Sequence, residues 1–344
     1  MIEEFSSESE IEEEELYEHY KFKADPGQVV IRVDKFLIDR VPNTSRNKIQ
    51  CSAKNGNIHV NGKPVKQNYK VKPGDEIAIV LPYPVREITL IPQNIPIEIA
   101  YEDDDLLVVN KPSNMVVHPG YGNYKDTLVN ALVYHIDNLP KPPSDYFGRP
   151  GLVHRIDKNT TGLLVVAKTE MALTHLAKQF FDRTTERHYY ALVWGDLREN
   201  ATITGNIGRS LKNRKVMTVF PNGDYGKHAI THYKILERFG YVTLVECKLE
   251  TGRTHQIRAH FQYIGNPLFN DPEYGGNKIL KGTQSTLYKR FVENCFELLP
   301  GQALHAKTLG FVQPRTKKHL SFDSALPVTF SELLARWRNY SASN

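Results

Sequence analysis

The pattern of apolar and polar positions changes along the 344-residue chain. Beyond residue 97 most apolar runs are short and separated by turn residues, which is typical of strands joined by hairpins. Strands are predicted at 97–101, 106–110, 152–155, 163–167, 188–194, 202–207, 229–238, 241–250 and 303–311. Helices are predicted at 127–134, 170–181, 256–264 and 331–340. Together they predict an α+β domain with a mixed, mainly antiparallel sheet.

Residues 25–82 show a different pattern, in which two short helices precede hairpin-rich strands. Thr44 or Ser45 offers an N-cap for the second helix, and Asn61-Gly62 after an apolar run is a strong hairpin signal. This order resembles the S4 RNA-binding module. The module would present to RNA phosphates a cationic face made of Arg32, Lys35, Arg46, Lys48 and Lys54.

Charge is distributed unevenly. Residues 1–18 hold nine Glu and no Lys or Arg, so we expect an acidic, disordered leader over residues 1–24, because like charges repel and little can be buried. The rest of the chain carries 44 Lys and Arg against 30 Asp and Glu, which favours a polyanionic partner. A proline-rich linker at 83–96 is expected to lead into the second domain, 97–344.

Composition also bears on the compartment and on metals. Cys51, Cys247 and Cys295 have no Cys-x-x-Cys spacing and predict free thiols in a reducing compartment. The amino terminus lacks the pattern of a secretory signal, and no run of eighteen apolar residues occurs, so we expect a cytoplasmic protein without membrane contact. The histidines show no metal-binding spacing, and we predict no metal site.

The most specific chemistry lies in residues 151–169. A polar hairpin there places Asp157 between Arg155 and Lys158, just before the apolar run 163–167. A carboxylate held among cations stays ionised and can act as a nucleophile or a base. Alone, an Asp in a turn is more often structural than catalytic, so the surrounding residues decide its interpretation.

Residues 154–162 resemble the catalytic motif of the RluA-type RNA pseudouridine synthases, His-Arg-Leu-Asp-x-x-Thr-Ser-Gly, with Ile156 for Leu and Thr161 for Ser. Arg187 stands where that family usually has Lys, and Gln313 stands where His is usual. The S4 module agrees with the subgroup that modifies large-subunit rRNA. Further motifs of the family are resembled, in order, at 107–112, 116–132, 187–195, 249–258 and 302–306.

This resemblance implies an isomerisation of uridine to pseudouridine that needs no cofactor. The N1–C1′ bond breaks, the uracil turns over, and C5 bonds to C1′. Asp157 would be the nucleophile, and Arg253 would pair with it and keep it charged. Tyr189 would stack on the target uracil.

The resemblance also implies supporting roles around this centre. Arg155 would occupy the space of the flipped uridine, with Lys158 as a further RNA contact. His154 is expected to be a structural, hydrogen-bonding histidine. His255 and Gln256 would begin the helix behind the predicted arginine and orient it.

The expected partner is 23S-type rRNA or a large-subunit precursor, bound by a monomer. One alternative keeps the chemistry and changes the RNA to tRNA. Another is a non-catalytic RNA-binding factor in ribosome assembly, which would need the S4 module and the basic surface. Such a factor has no need for Asp157, Tyr189 and Arg253 together.

Overall fold

The computed structural model describes residues 16–41, 44–81, 90–120, 122–140, 149–213 and 215–343. The described residues divide into two compact units, one that ends at residue 81 and one that begins at residue 90. Each unit has its own hydrophobic core. None of the described helices combines the length and apolar character that a membrane span requires.

In the first unit, α1 (Val33–Ile38) and α2 (Arg46–Lys54) pack against short strands. Four strands form a sheet in the order β1-β6-β3-β4, and β2 pairs separately with β5. Ser45 caps α2 as predicted, since its hydroxyl accepts a hydrogen bond from the Lys48 amide at 3.3 Å. The strands are β1 (Tyr17–Lys23), β2 (Ile31–Arg32), β3 (Ile58–Val60), β4 (Lys63–Pro64), β5 (Lys70–Val71) and β6 (Glu76–Leu81).

Strand β1 lies inside the segment predicted to be a disordered leader. It pairs antiparallel with β6, and Tyr20 and Phe22 pack on the core of the unit. The prediction was wrong for Tyr17–Lys23, because the acidic run before it hid the period-two spacing of Tyr20, Phe22 and Ala24. The leader's residues 1–15 lie outside the described residues.

The second unit is built on a ten-stranded sheet in the order β12-β11-β13-β14-β10-β15-β9-β8-β7, with β16 beside β15. Among the described pairs only β9 and β15 are parallel, so the predicted mixed, mainly antiparallel α+β fold is confirmed. The strands are β7 (Glu98–Glu102), β8 (Leu106–Lys111), β9 (Thr161–Ala167), β10 (Glu186–Trp194), β11 (Ala201–Arg209), β12 (Met217–Phe220), β13 (Lys227–Arg238), β14 (Val242–Leu249), β15 (Leu304–Val312) and β16 (His319–Asp323).

Helices cover both faces of this sheet. Along β8, Leu107 and Val109 pack in one core while Leu106 and Val108 pack in another, so neighbouring residues serve opposite faces. Helices α3 and α5 cover the first face, and α4, α6 and α7 cover the second. The helices are α3 (Leu128–His135), α4 (Glu170–Asp182), α5 (Gln256–Tyr263), α6 (Thr286–Leu298) and α7 (Val328–Ala342).

Further local predictions differ from the structure. Residues 152–155 form no strand and contribute only an isolated bridge between Leu152 and Val166. Residues 83–89 of the predicted linker lie outside the described residues. The later part of the linker packs on α3, where Gln93 N donates to Asn130 O at 3.0 Å. Helix α6 was missed, although its buried residues follow helical spacing.

Candidate active site

Asp157 lies in the loop that leads into β9, and the sheet fixes the end of that loop. Only two residue pairs join β9 to β15, Thr161 with His305 and Gly162 with Ala306. Gly162 has a φ of +108°, and a Cβ there would lie 2.2 Å from the Ala306 carbonyl oxygen. Glycine is therefore required for this close approach.

A buried lysine ties the loop down from the other side. Lys111 is 1% exposed, and its ammonium donates to the carbonyl oxygens of Pro112 at 2.7 Å, Met115 at 2.8 Å and Lys158 at 3.0 Å. Burial lowers the pKa of Lys111 to about 7, and the charge of Asp157 acts in the opposite direction. Sequence reasoning gave this residue no role, although a lysine ending the apolar strand β8 was a visible signal.

The ion-pair partner of Asp157 is Arg258, not Arg253 as predicted. Arg258 Nη1 lies 3.2 Å from Asp157 Oδ2. The guanidinium also binds Asp271 through Nε at 2.7 Å and Nη2 at 2.9 Å, and Glu273 at 2.6 Å. Burial lowers the pKa of Arg258, but the hydrogen bonds and charge of these carboxylates outweigh it and raise that pKa.

Arg253 lies nearby in a different role. Its Nε donates to the His228 carbonyl oxygen at 3.0 Å, and its side chain is half-buried. Burial first, and then the charge of Arg183, lowers the pKa of Arg253. The prediction failed because Arg253 and Arg258 share one motif, and only the turn into α5 decides which of them reaches Asp157.

Asp157 stands where two concave spaces meet. A small pocket of about 60 Å³ holds Asp157 together with Tyr189, Arg155 and Arg253, and has apolar walls that include Leu249 and Leu304. A larger cleft of about 770 Å³ also reaches Asp157, and its other lining residues include His118, Asn123, Arg149, Lys158 and Glu273. The structure thus brings together Asp157, Tyr189, Arg253 and Arg155, while Lys158 lies on the larger cleft.

Tyr189 is 8% exposed on β10 and lines the small pocket. Burial raises the pKa of its hydroxyl; Arg187 opposes that rise, and Asp157 adds to it. Arg155 is exposed at the mouth of the same pocket. Tyr189 therefore remains protonated near neutral pH, as an aromatic wall with a hydroxyl donor.

The predicted supporting residues hold the backbone around this centre. His154 Nε2 accepts a hydrogen bond from the Val165 amide at 3.0 Å, and burial lowers the pKa of His154 to about 3, so the ring is neutral. His255 occupies the N-cap position of α5 with a φ of 52° and no capping hydrogen bond from its side chain, and its Nε2 lies 3.8 Å from Asp157 Oδ1. Gln256 Oε1 accepts from the Arg253 amide at 3.0 Å.

The cations predicted to contact RNA in the first unit fall into two groups. Arg32 and Arg46 bind the buried carboxylate of Asp34 at 3.0 and 3.1 Å, and Gln50 also donates to it. Burial would raise the pKa of Asp34, but these hydrogen bonds prevail and lower it to about 2. The other three side chains are exposed on α1 and α2; they are Lys35, Lys48 and Lys54.

The departure at Gln313 lies away from Asp157. Its amide donates to Asp103 at 3.1 Å and Asp105 at 3.2 Å, and its carbonyl oxygen accepts from the amide of Arg315 at 2.7 Å. This residue therefore shapes a turn and does not line either space at Asp157. Across the described residues, no group of three or more His, Cys, Asp or Glu side chains is arranged to hold a metal ion.

Comparison with known proteins agrees with this architecture. Residues 105–263 match the RNA pseudouridylate synthase family, and residues 31–77 match the S4 domain. The chain is 46% identical to an RNA pseudouridine synthase of Chlorobaculum parvum, over 90% of this chain and 95% of that protein. It is 40% identical to ribosomal large subunit pseudouridine synthase D of Nitrosomonas europaea, over 90% and 85% of the two chains.

Among solved structures, human RNA pseudouridylate synthase domain containing 4 is similar, with a TM-score of 0.52 and 26% identity over 70% of this chain and 93% of that one. The family match includes the loop of Asp157, the strand of Tyr189 and the start of α5. The chain therefore belongs to the RluA family of RNA pseudouridine synthases, with an S4 domain before the catalytic domain.

Proposed function

We propose that this enzyme converts specific uridines of large-subunit rRNA to pseudouridine, with Asp157 as the group that starts the reaction. Asp157 carries the proposal, because its carboxylate is held by Arg258 at the meeting point of a small pocket and a larger cleft. Relatives named large-subunit pseudouridine synthases, at 38–41% identity over most of their length, support the choice of rRNA.

The residues that line the small pocket offer the contacts that an extruded uracil would need beside Asp157. Leu249 and Leu304 provide apolar walls, and Tyr189 provides a ring on which a base can stack. Arg155 at the mouth has a planar guanidinium that can take the place of the extruded base in the RNA stack. A base bound against these residues would stay enclosed, so the free uracil would remain in place after the N1–C1′ bond breaks.

Arg258 positions the reacting carboxylate. It binds one oxygen of Asp157, while the other oxygen makes no hydrogen bond with any described residue and has His255 Nε2 at 3.8 Å. Asp157 therefore keeps one carboxylate oxygen available to the substrate as nucleophile or base. The reaction is balanced without a further reactant, because the proton lost from C5 is replaced by one gained at N1.

The test compares purified enzyme and two variants on transcripts of 23S-type rRNA and of tRNA. Wild type should form pseudouridine at defined positions of the rRNA transcript, and Asp157→Asn should form none while its RNA affinity stays within about tenfold. Asp224→Asn, at an exposed turn, is the matched control and should behave as wild type. Turnover by Asp157→Asn would refute the assigned nucleophile, and turnover on tRNA alone would refute the assigned substrate.

A further inference from the structure

Arg187 is a buried cation without an anion. It is 7% exposed, its Nε is buried with no hydrogen-bond partner, and within the described part of the chain no carboxylate pairs with it. Its guanidinium lies over the ring of Phe180, 5.4 Å from the centroid, which compensates the charge only in part. Burying an unpaired charge is costly, so this arrangement favours a ligand that supplies the missing negative charge.

The end of the Arg187 side chain reaches the surface beside the active site. A Cβ on Gly252 would lie 2.8 Å from Arg187 Nη1, and Gly252 itself is exposed. Any larger residue at 252 would cover this nitrogen, so the glycine leaves it open. Gly252 directly precedes Arg253, which lines the small pocket with Asp157 and Tyr189.

A second cation lies next to this place along the chain. Arg253 directly follows Gly252, and its side chain is half-buried and lines the small pocket. Thr185, two residues before Arg187, has a buried hydroxyl with no hydrogen-bond partner among the described residues. An anion beside Gly252 would therefore meet both guanidinium groups and an unused hydroxyl.

We propose that Arg187 and Arg253 form a binding site for one phosphodiester of the RNA backbone, next to the extruded uridine. Arginine binds phosphate oxygens through two parallel N–H groups, and the buried position of Arg187 makes that contact stronger than one at the surface. The phosphate fixes the nucleotide along the backbone while the small pocket takes its base. This proposal rests on the proposed placement of the target uridine beside Asp157.

The test uses two probes in the Asp157→Asn background, which prevents turnover. The first is the dinucleotide uridylyl-uridine, and the second is the same dinucleotide with a neutral methylphosphonate linkage. The protein that keeps Arg187 should bind the charged dinucleotide about tenfold more tightly than the neutral one. The protein that also carries Arg187→Met should bind both dinucleotides with the same affinity. Arg187→Lys should keep part of the difference, and Arg290→Met, which removes an exposed charge on α6, should keep all of it.

Folding is measured on the same proteins. Arg187→Met should unfold at a temperature no lower than wild type, because it removes an uncompensated buried charge. The comparison of the two dinucleotides in the protein that keeps Arg187 does not depend on any substitution at that position. Equal binding of both there, or a full preference for the charged one in Arg187→Met, would overturn the phosphate site. A charge preference lost in Arg187→Met would support it even if Asp157 proved not to be the nucleophile.

Discussion

Among single residues, Arg258 binds the neighbouring carboxylates of Asp271 and Asp157 with hydrogen bonds of different number and length. Arg258 binds the fully buried Asp271 with two hydrogen bonds of 2.7 and 2.9 Å, but Asp157 with one of 3.2 Å. Charge-assisted hydrogen bonds are strongest below about 2.9 Å. Arg258 is therefore anchored by Asp271, and it positions Asp157 without engaging both of its oxygens.

Replacing Arg258 should be far more damaging to stability than replacing Arg253. Arg258→Gln leaves Asp271 buried without its cation and should lower the free energy of unfolding by about 3–5 kcal/mol. Arg253→Gln removes a hydrogen bond to one carbonyl oxygen and should cost about 1 kcal/mol. Urea unfolding of both variants measures the difference, and equal losses would contradict the pairing of Arg258 with the buried carboxylates.

Asp157 and Tyr189 were predictable as neighbours because each belongs to a motif that specifies both residue type and spacing, and both line the small pocket. The sequence alone could not predict the ion-pair partner, because Arg253 and Arg258 have the same chemistry within five positions. It also could not predict that Arg32 and Arg46 bind Asp34, which requires α1 and α2 to be packed together. Pairing across elements depends on packing, whereas residue chemistry is local.

At the scale of elements, the approach of β9 to β15 holds the loop of Asp157 in place. Gly162→Ala should disrupt it, because the added Cβ would meet the Ala306 carbonyl oxygen and φ is +108°. Gly240→Ala is a matched control, with a φ of +80° and nothing within 4 Å of the added Cβ. The control should cost about 1–2 kcal/mol from backbone strain alone.

For Gly162→Ala we expect a loss of unfolding free energy at least about 2 kcal/mol larger than for Gly240→Ala, since the clash adds to the strain. Turnover should fall with it, because the loop shifts. Denaturant unfolding and single-turnover rates measure the two effects. Equal losses of stability in the two variants, with activity retained, would show that the contact with β15 does not hold the loop.

Most strands were predictable, because helices cover both faces of β8 and β9 and give them uninterrupted apolar runs. Strand β1 was not predictable. It is an edge strand whose residues alternate in burial, and it follows an acidic run. Residues 152–155 were misassigned because they pair with only one residue of β9. Apolar content predicts burial, but strand formation also requires a partner.

At the scale of the whole molecule, buried histidines couple stability to pH. His260 and His305 are both fully buried, and burial lowers the pKa of each to about 4, below the usual 6.5. Below pH 6.5 the unfolded chain therefore takes up protons that the folded protein does not. Their contribution to stability is complete above pH 6.5 and is lost progressively as the pH falls towards 4.

Over that range the free energy of unfolding should fall by about 1.4 kcal/mol per pH unit for each of these histidines. Urea unfolding at pH 7, 6 and 5 measures it. His260→Asn keeps a polar group near Thr231 and should remove the contribution of one histidine to the slope of unfolding free energy against pH. His319→Asn, at an exposed position, should leave it unchanged. A slope equal in wild type and His260→Asn would contradict the assignment.

We propose that this enzyme modifies large-subunit rRNA through Asp157, and the decisive experiment is to map the pseudouridines of that RNA. Large-subunit rRNA would be sequenced for pseudouridine from cells lacking the gene and from cells complemented with wild type or with Asp157→Asn. We expect defined sites to lose pseudouridine without the gene and to regain it only with wild type. Unchanged rRNA sites without the gene, or sites restored by Asp157→Asn, would contradict it.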